Sequence, residues 1–375
     1  MIYRKLGKTG LEVSQLGFGA MRLPMIGEKP NAKVNRELAV PMIHRAFEAG
    51  VNYIDTAIIY CNRDSQAAVG DALKGWRDNV IVSTKNDYYG EDEKEWWGRL
   101  ENSLRLLDMD FIDMYCTHGI NGQRFEEAYK PRVSKWMAKA KEQGLIKHIC
   151  TSFHDNNDAL MRIVDSGFPS VITLQYNLLD RQLEEGIAYA HEKGIGVVVM
   201  GPVGGGRLGE PSETFESVLP QVKRLPELAL RFVLANPNVS VVLSGMSTIE
   251  QVEENLRIAS DGATFTPDDL AAIDEHLDRL KKMADLYCTA CKYCMPCPAE
   301  VNIPAIFEMY NRGRVYGLWE SAKRAYNRLP KTPGKHGANA EACTECGECE
   351  EKCPQNIPIR KQLKEAHDAL AGSDG

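Results

Sequence analysis

Long apolar runs are missing from this chain. No stretch of about 18 consecutive apolar residues occurs in its 375 residues, so no segment is expected to span a membrane. The opening residues, MIYRKLGKTGLEVSQLG, have no apolar core of the length a secretory leader needs. That argues against an oxidising compartment and a disulfide framework. An excess of positive charge is lacking too. The formal net charge is −7, which argues against a general nucleic-acid binder, whose affinity would come from clustered Lys and Arg. Internal repeats do not occur beyond an alternation of strands and helices. The expectation is a soluble cytoplasmic protein. With 43% hydrophobic residues it can bury a large core, divided into about two domains.

Cysteine is present in a particular arrangement. Cys288, Cys291, Cys294 and Cys297 run at C-x2-C-x2-C-x2-C, followed by Pro298. Forty-five residues later, Cys343, Cys346, Cys349 and Cys353 run at C-x2-C-x2-C-x3-C, followed by Pro354. Eight of the eleven cysteines therefore lie in two tight tetrads. Three thiolates spaced by two residues can wrap one face of an iron–sulfur cube, and a fourth before proline closes a cluster, often the other one. Zinc sites more often use separated C-x2-C pairs. The reading is two [4Fe–4S] clusters. Crossed ligation would set Cys288, Cys291 and Cys294 with Cys353, and Cys343, Cys346 and Cys349 with Cys297; uncrossed tetrads are the alternative.

The first 260 residues alternate short apolar runs with amphipathic stretches. Strands are expected at Gln15–Gly19, Asn52–Asp55, Val80–Thr84, Phe111–Cys116, His148–Ser152, Val171–Gln175, Gly196–Met200 and Ser240–Ser244. Helices are expected between and after them, from Pro41–Gly50 to Ile249–Ser260, with one over Pro131–Gly144. Runs such as IGVVVM suit a parallel sheet covered by helices. Eight such units predict an α/β fold, a (β/α)8 TIM barrel, with a doubly wound open sheet as the alternative. Tyr3–Lys5 and Glu12–Ser14 read as a hairpin before it. A helix over Pro267–Met283 leads into the first cysteine run. The stretch between the tetrads is helical in periodicity until Pro330, Pro333 and Gly334 break it. The expected division is a barrel over 1–283 and a small, mostly helical, ferredoxin-like two-cluster domain over 284–375.

In such barrels the chemistry gathers where strands end. Those positions hold Asp55, Lys85 and His118, with Tyr60 five residues after Asp55. A carbonyl receiving hydride needs an acid for the developing alkoxide, and a tyrosine of ordinary pKa, about 10, is a poor one at neutral pH. A Lys85 cation would ease proton release from Tyr60. Asp55 would hold Lys85 charged, and His118 would orient the carbonyl oxygen.

RKLGKTGLEVSQLGFGAMRLP, YIDTAIIY, STK and CTHG resemble segments of the aldo-keto reductases, (β/α)8 barrels that use a nicotinamide cofactor. The resemblance covers about the first 280 residues. It implies Tyr60 as proton donor, with Asp55, Lys85 and His118 as partners. The cysteine runs, with CMPCP in the first, resemble the branch of that family carrying a C-terminal iron–sulfur domain. By the same resemblance Met21, Ser152, Gln175 and Met200 would border the nicotinamide. Gly201, Pro202, Gly204 and Arg207, in GPVGGGRL, would cover the pyrophosphate, where glycine lets backbone N–H groups approach an anion. Gly245, Ser247, Gln251, Glu254 and Asn255 would serve the adenosine end, at a helix N-terminus favourable for phosphate.

Three departures stand out. No basic residue precedes Arg257 in that last segment, leaving NAD against NADP undecided. Met200 replaces a common aromatic, and Phe153 stands where Asn often follows Ser152.

Hydride moves two electrons and a [4Fe–4S] cluster moves one. A flavin normally mediates between them, and the chain has no distinct flavin signature. The first reading is an NAD(P)H-dependent reductase of a small-molecule carbonyl whose clusters are structural or regulatory. The second is a reductase that takes electrons from a ferredoxin-like partner and delivers them singly to a substrate or flavin. The third is a non-catalytic electron-transfer subunit.

Overall fold

The computed structural model describes residues 1–28, 30–216, 218–222, 224–285, 288, 291–331 and 337–371. Pro333 and Gly334 of the expected helix break lie outside the described residues. Contacts divide the chain into two compact units, Met1–Gly204 with Ala229–Thr264, and Gly205–Leu228 with Phe265–Gly375. The helix Pro267–Asp285 and residues 205–228, both grouped with the barrel in the sequence reading, thus fall in the second unit.

The first unit opens on an antiparallel hairpin, β1 (Tyr3–Lys5) and β2 (Glu12–Ser14). The barrel begins with β3 (Leu16–Gly19). A short pair, β4 (Met25–Ile26) and β5 (Lys33–Val34), interrupts the first βα connection and was not expected. The barrel continues with β6 (Tyr53–Asp55), β7 (Ile81–Asn86), β8 (Ile112–Ile120), β9 (Ile146–Phe153), β10 (Val171–Gln175), β11 (Gly196–Met200) and β12 (Val241–Gly245). These strands pair in parallel with their sequence neighbours, and β12 closes on β3. The open sheet is thereby excluded. Strands such as Val197–Val199 are fully buried, as a sheet covered on both faces requires.

Polar caps start several of the helices that follow the strands. Asp92, Asn156 and Thr248 accept the N–H of Lys94, Ala159 and Gln251 at 2.9, 3.0 and 3.4 Å. After β8 the chain differs from expectation. Residues Phe125–Val133 form a wide π-type helix that passes into the α-helix Ser134–Glu142. Pro131 lies in it; a residue without an N–H spoils an ordinary i→i−4 ladder, which obscures a helix there in the sequence.

The hairpin plugs the barrel floor. Leu6 is fully buried among Tyr53, Met114, Val171, Val198 and Val241. Gly7 next to it has φ +53°, and a Cβ there would lie 2.3 Å from the backbone nitrogen of Gly196. Arg4 donates to the carbonyls of Leu234, Asn236 and Val239 at 2.6–3.2 Å, satisfying acceptors around the end of the helix Leu225–Ala235.

The second unit has its own core. The helices Ile303–Arg314, Trp319–Tyr326 and Ile359–Leu370 bury Ile303, Ile306, Phe307, Ala322, Leu363 and Leu370 together. The 205–228 segment is fastened to this bundle. Ser212 Oγ donates to the Tyr316 carbonyl at 2.8 Å, and Glu210 accepts the Ser321 N–H at 3.1 Å while pairing with Arg324. No described helix is long and apolar enough to cross a membrane.

Gly7→Ala must move backbone, not a flexible side chain. It is expected to lower barrel stability by about 2 kcal/mol or more, read as a shift of the urea unfolding midpoint against wild type.

Candidate active site and cysteine cavities

The parallel register sets the first part of the site. Asp55 ends β6 opposite Ser83 of β7, and Lys85 lies two residues further along, so both side chains face the barrel mouth. Lys85, 1% exposed, donates to Asp55 Oδ1 at 2.5 Å and to the Thr56 carbonyl at 2.9 Å. Ser83 Oγ donates to the other Asp55 oxygen at 2.8 Å. Burial lowers the Lys85 pKa more than any single neighbour raises it, but the Asp55 charge, with Tyr60, Cys116 and the hydrogen bond to Asp55, together outweigh it and the net shift is upward. Lys85 is held as a cation.

Tyr60 stands on a strained turn. Cys61, Asn62 and Arg63 follow it with φ of 49°, 53° and 67°, three successive non-glycine residues in the left-handed region. Such backbone persists only where its surroundings hold it. Here Asn62 Nδ2 donates to the Ala32 carbonyl at 3.0 Å, and the Cys61 thiol faces the Ala20 and Met21 carbonyls. Asp64 accepts the Val34 N–H at 2.8 Å and pairs with Arg36. The unexpected β4–β5 pair therefore supplies part of the frame. The Tyr60 ring centroid lies 5.0 Å from Lys85 Nζ and 6.0 Å from the His118 ring, edge to face.

The Tyr60 phenol departs from expectation in one respect. Burial raises its pKa more than the Lys85 charge lowers it, and Asp55 adds to the rise. Tyr60 is a phenol, not a phenolate, at neutral pH. His118 shifts the other way, to about 4, through burial and then the Lys85 charge, so its imidazole is neutral. Its aim is set by an irregularity in β8: register with β9 shifts between Thr117 and Ile120, around Gly119 at φ +70°.

The residues expected around a nucleotide occupy several positions. Ser152 is buried at the end of β9, Gln175 ends β10 beside Gly201, and Met200 ends β11 half-buried. Hydroxyl and amide groups at neighbouring strand ends form a donor set suited to a carboxamide. Phe153 is fully buried and offers nothing polar there. Gly201 and Gly204 have φ of 66° and 58°, a backbone that can present N–H groups to an anion. Pro202 follows Gly201 in the same turn, and Arg207 belongs to the second unit. Met21 is exposed on the short helix after β3.

At the end of β12, Gln251 accepts the Ser247 N–H at 2.8 Å, a variant of the capping box begun by Thr248. Asn255 donates to Ser244 Oγ at 2.8 Å, and Glu254 lies on the same helix. The sequence reading missed Arg22. Its carbonyl accepts from Ser247 Oγ at 2.7 Å, and its side-chain carbons pack on Gly245, so a basic side chain does reach this end. No local pattern around residue 245 could reveal a cation arriving from the β3 loop.

In the second unit, the eight tetrad cysteines line two cavities. Cys288, Cys291, Cys294 and Cys353 surround one, with Ile303, Phe307 and Ile359. Cys297, Cys343, Cys346 and Cys349 surround the other, with Val301, Ile303 and Leu363. Each cavity thus takes three sulfurs from one run and the last of the other. Among the described residues, no three His, Cys, Asp or Glu side chains converge tightly enough for a single ion. Four sulfurs spread round an apolar-walled cavity fit a cube better than a zinc ion, whose ligands must meet about 2.3 Å from one point. Crowding is felt at Cys294, whose thiol is pushed up to about 11 by burial and then by Cys288.

Taken together, a closed parallel barrel with a Tyr–Lys–Asp–His mouth and a cysteine-walled helical unit define a two-part oxidoreductase. The chain belongs to the aldo/keto reductase family, which it matches over residues 15–278, and it matches the 4Fe-4S dicluster domain over residues 287–357. It is 29% identical over 307 residues to the uncharacterized oxidoreductase YqkF of Bacillus subtilis, covering 73% of this chain and 95% of that one. It is 27% identical over 311 residues to L-galactose dehydrogenase of Arabidopsis thaliana, covering 75% and 95%. Among solved structures, the holo form of aldo-keto reductase AKR11C1 from Bacillus halodurans superposes with a TM-score of 0.64 at 29% identity, covering 74% of this chain and 96% of that one.

His118 also makes the fold sensitive to acid. Its folded pKa of about 4 lies below the ordinary value, so the unfolded chain binds the proton more tightly. This contribution is whole above about pH 6.5 and is lost as pH falls towards 4. Thermal unfolding from pH 7.5 to 4.5 should show it, with a shallower decline in His118→Asn.

Proposed function

We propose that this chain is a cytoplasmic NAD(P)H-dependent reductase of a small carbonyl compound, with Tyr60 as proton donor, and that its two cysteine cavities hold [4Fe–4S] clusters. The observation that carries the reading is the buried Lys85–Asp55 pair beneath a protonated Tyr60 that faces a neutral His118.

Bound NAD(P)H would supply hydride to the carbonyl carbon. The chain does the rest. His118, neutral, donates an N–H to the carbonyl oxygen and orients it, without competing with Tyr60 as an acid. As negative charge develops on that oxygen, Tyr60 gives up its phenolic proton. Lys85 stabilises the resulting phenolate, and Asp55 keeps Lys85 charged throughout. Ser152 and Gln175 would hold the carboxamide; Gly201 and Gly204 would serve the phosphates, and Arg22 with the helix Ile249–Ser260 the adenosine end.

In the second unit the clusters would supply one-electron chemistry or rigidity. The crossed set has Cys353 completing the site of Cys288, Cys291 and Cys294, and Cys297 that of Cys343, Cys346 and Cys349. A second reading draws support from Met200 and Phe153, which leave the nicotinamide face without a stacking aromatic or a second amide. In it, electrons come from a ferredoxin-like partner.

The test is anaerobic titration of the purified protein with NADH and NADPH, following nucleotide binding, cluster absorption and aldehyde reduction together. Binding with unchanged clusters and with turnover is expected. Tyr60→Phe should cut turnover by about 10²–10⁴-fold and leave binding intact. No nucleotide binding, with clusters reduced by a low-potential donor, would favour the second reading.

Ligation is tested by iron content. Wild type should carry about eight iron atoms per chain and little zinc. Cys353→Ser and the double variant Cys294→Ser/Cys353→Ser should each lose one cluster, whereas Cys346→Ser/Cys353→Ser should lose both. Uncrossed tetrads reverse the two double variants.

A further inference from the structure

Beyond His118 the barrel mouth carries a cation, Arg124, that forms no ion pair among the described residues. Arg124 donates from Nη1 to the Gly119 carbonyl at 2.7 Å, and its guanidinium lies 5.2 Å from the centre of the Tyr89 ring. Tyr89 is itself fixed. Its hydroxyl donates to the His118 carbonyl at 3.1 Å, and its own carbonyl accepts from Arg132 Nη2 at 3.3 Å. The guanidinium and the imidazole therefore belong to one braced patch, anchored at consecutive residues of β8.

Neighbouring carboxylates are engaged elsewhere. Asp87 pairs with Arg99, and Asp155 accepts the backbone N–H groups of Gly122 and Asn156. Glu126 pairs with Lys130, and Glu127 accepts from Gln123. Among the described residues, no carboxylate forms an ion pair with Arg124. Arg132, on the same wall, has a buried Nε without a hydrogen-bond partner.

On the adjoining strand end stands His154. Its backbone N–H donates to the Ile120 carbonyl at 2.9 Å, and its Nε2 lies 3.4 Å from Ser152 Oγ. Burial, then the charges of Arg124 and Lys85, hold its pKa down. The Arg124 charge reaches His118 as well. This rim thus sets a braced guanidinium beside two neutral imidazoles; Asp87, whose charge also reaches His118, is paired with Arg99.

We propose that Arg124, seconded by His154, forms an anion subsite that selects carbonyl substrates bearing a carboxylate a few bonds from the reacting carbon. The proposal rests on the reductase reading and deepens it. A guanidinium fork matches a carboxylate in shape and charge, and one already braced on Gly119 and Tyr89 loses little freedom on binding.

The experiment compares 4-oxobutanoate with butanal, equal in chain length, on the intact holoenzyme and on Arg124→Met and Arg124→Lys. The wild type should prefer 4-oxobutanoate. Arg124→Met should raise its KM by about ten-fold or more, with kcat and the butanal kinetics little changed. Arg124→Lys should recover part of the loss. Equal kinetics of wild type and Arg124→Met on both aldehydes, or equal losses on both, would overturn the subsite. Turnover of butanal reports on hydride transfer, so the two readings fail separately. If neither aldehyde is turned over, calorimetric titration with succinate decides: binding lost in Arg124→Met supports the subsite, and no binding to wild type overturns it.

Discussion

The buried Lys85–Asp55 pair is the constraint around which the barrel mouth is organised. An ammonium 1% exposed is tolerable only because a carboxylate, a serine hydroxyl acting through that carboxylate, and the Thr56 carbonyl surround it. Removing one partner of such a pair typically costs about 3–5 kcal/mol, because the other is left charged in a dry site. The pair forms only if β6 and β7 keep their register, since a slip of one residue would turn Lys85 away from the mouth. That register rests in turn on barrel closure and on the Leu6 plug beneath it. A charged Lys85 also acts on its neighbours, adding to the burial that keeps His118 neutral and opposing the burial-driven rise of the Tyr60 phenol.

Rigidity at this mouth is assembled from unrelated segments. The left-handed residues after Tyr60 are strained, at a typical cost of about 1–3 kcal/mol each, and are offset by bonds from the first βα connection. The bulge at Gly119 aims His118, and Tyr89 braces its carbonyl from the next wall. None of these supports is itself a reacting group. They hold the phenol and the imidazole edge to face, 6.0 Å apart between ring centres.

The cysteine unit follows the same logic in a smaller core. Ile303 lines both cavities, and each cavity draws on both cysteine runs. Neither run is complete alone, so the intervening helices have to fold back before either cavity exists. The 205–228 segment is tied to those helices by Glu210 and Ser212. It follows Gly204 directly in the chain.

Much of this was legible in the amino-acid sequence. Strand runs such as Val171–Gln175 and Gly196–Met200 coincide with the observed strands, because a parallel strand buried on both faces is apolar throughout. The spacing of the tetrads reflects what a cube of iron and sulfur demands of its ligands, a local property of the chain. Asp55 ends its strand and Lys85 stands next to the end of its own, as expected, whereas β8 runs two residues beyond His118 instead of ending at Cys116. What only the tertiary structure decided depends on approach through space. It brought Arg22 to Gly245, shifted the Tyr60 phenol upward by burial, and started the helix expected from Pro131 earlier, as the π-helix Phe125–Val133. It set Arg124 over the Tyr89 ring without an ion pair among the described residues. Periodicity and spacing report which way a side chain faces along its own element; burial, charge and contact depend on segments far away in the chain, and those exist only once the barrel has closed.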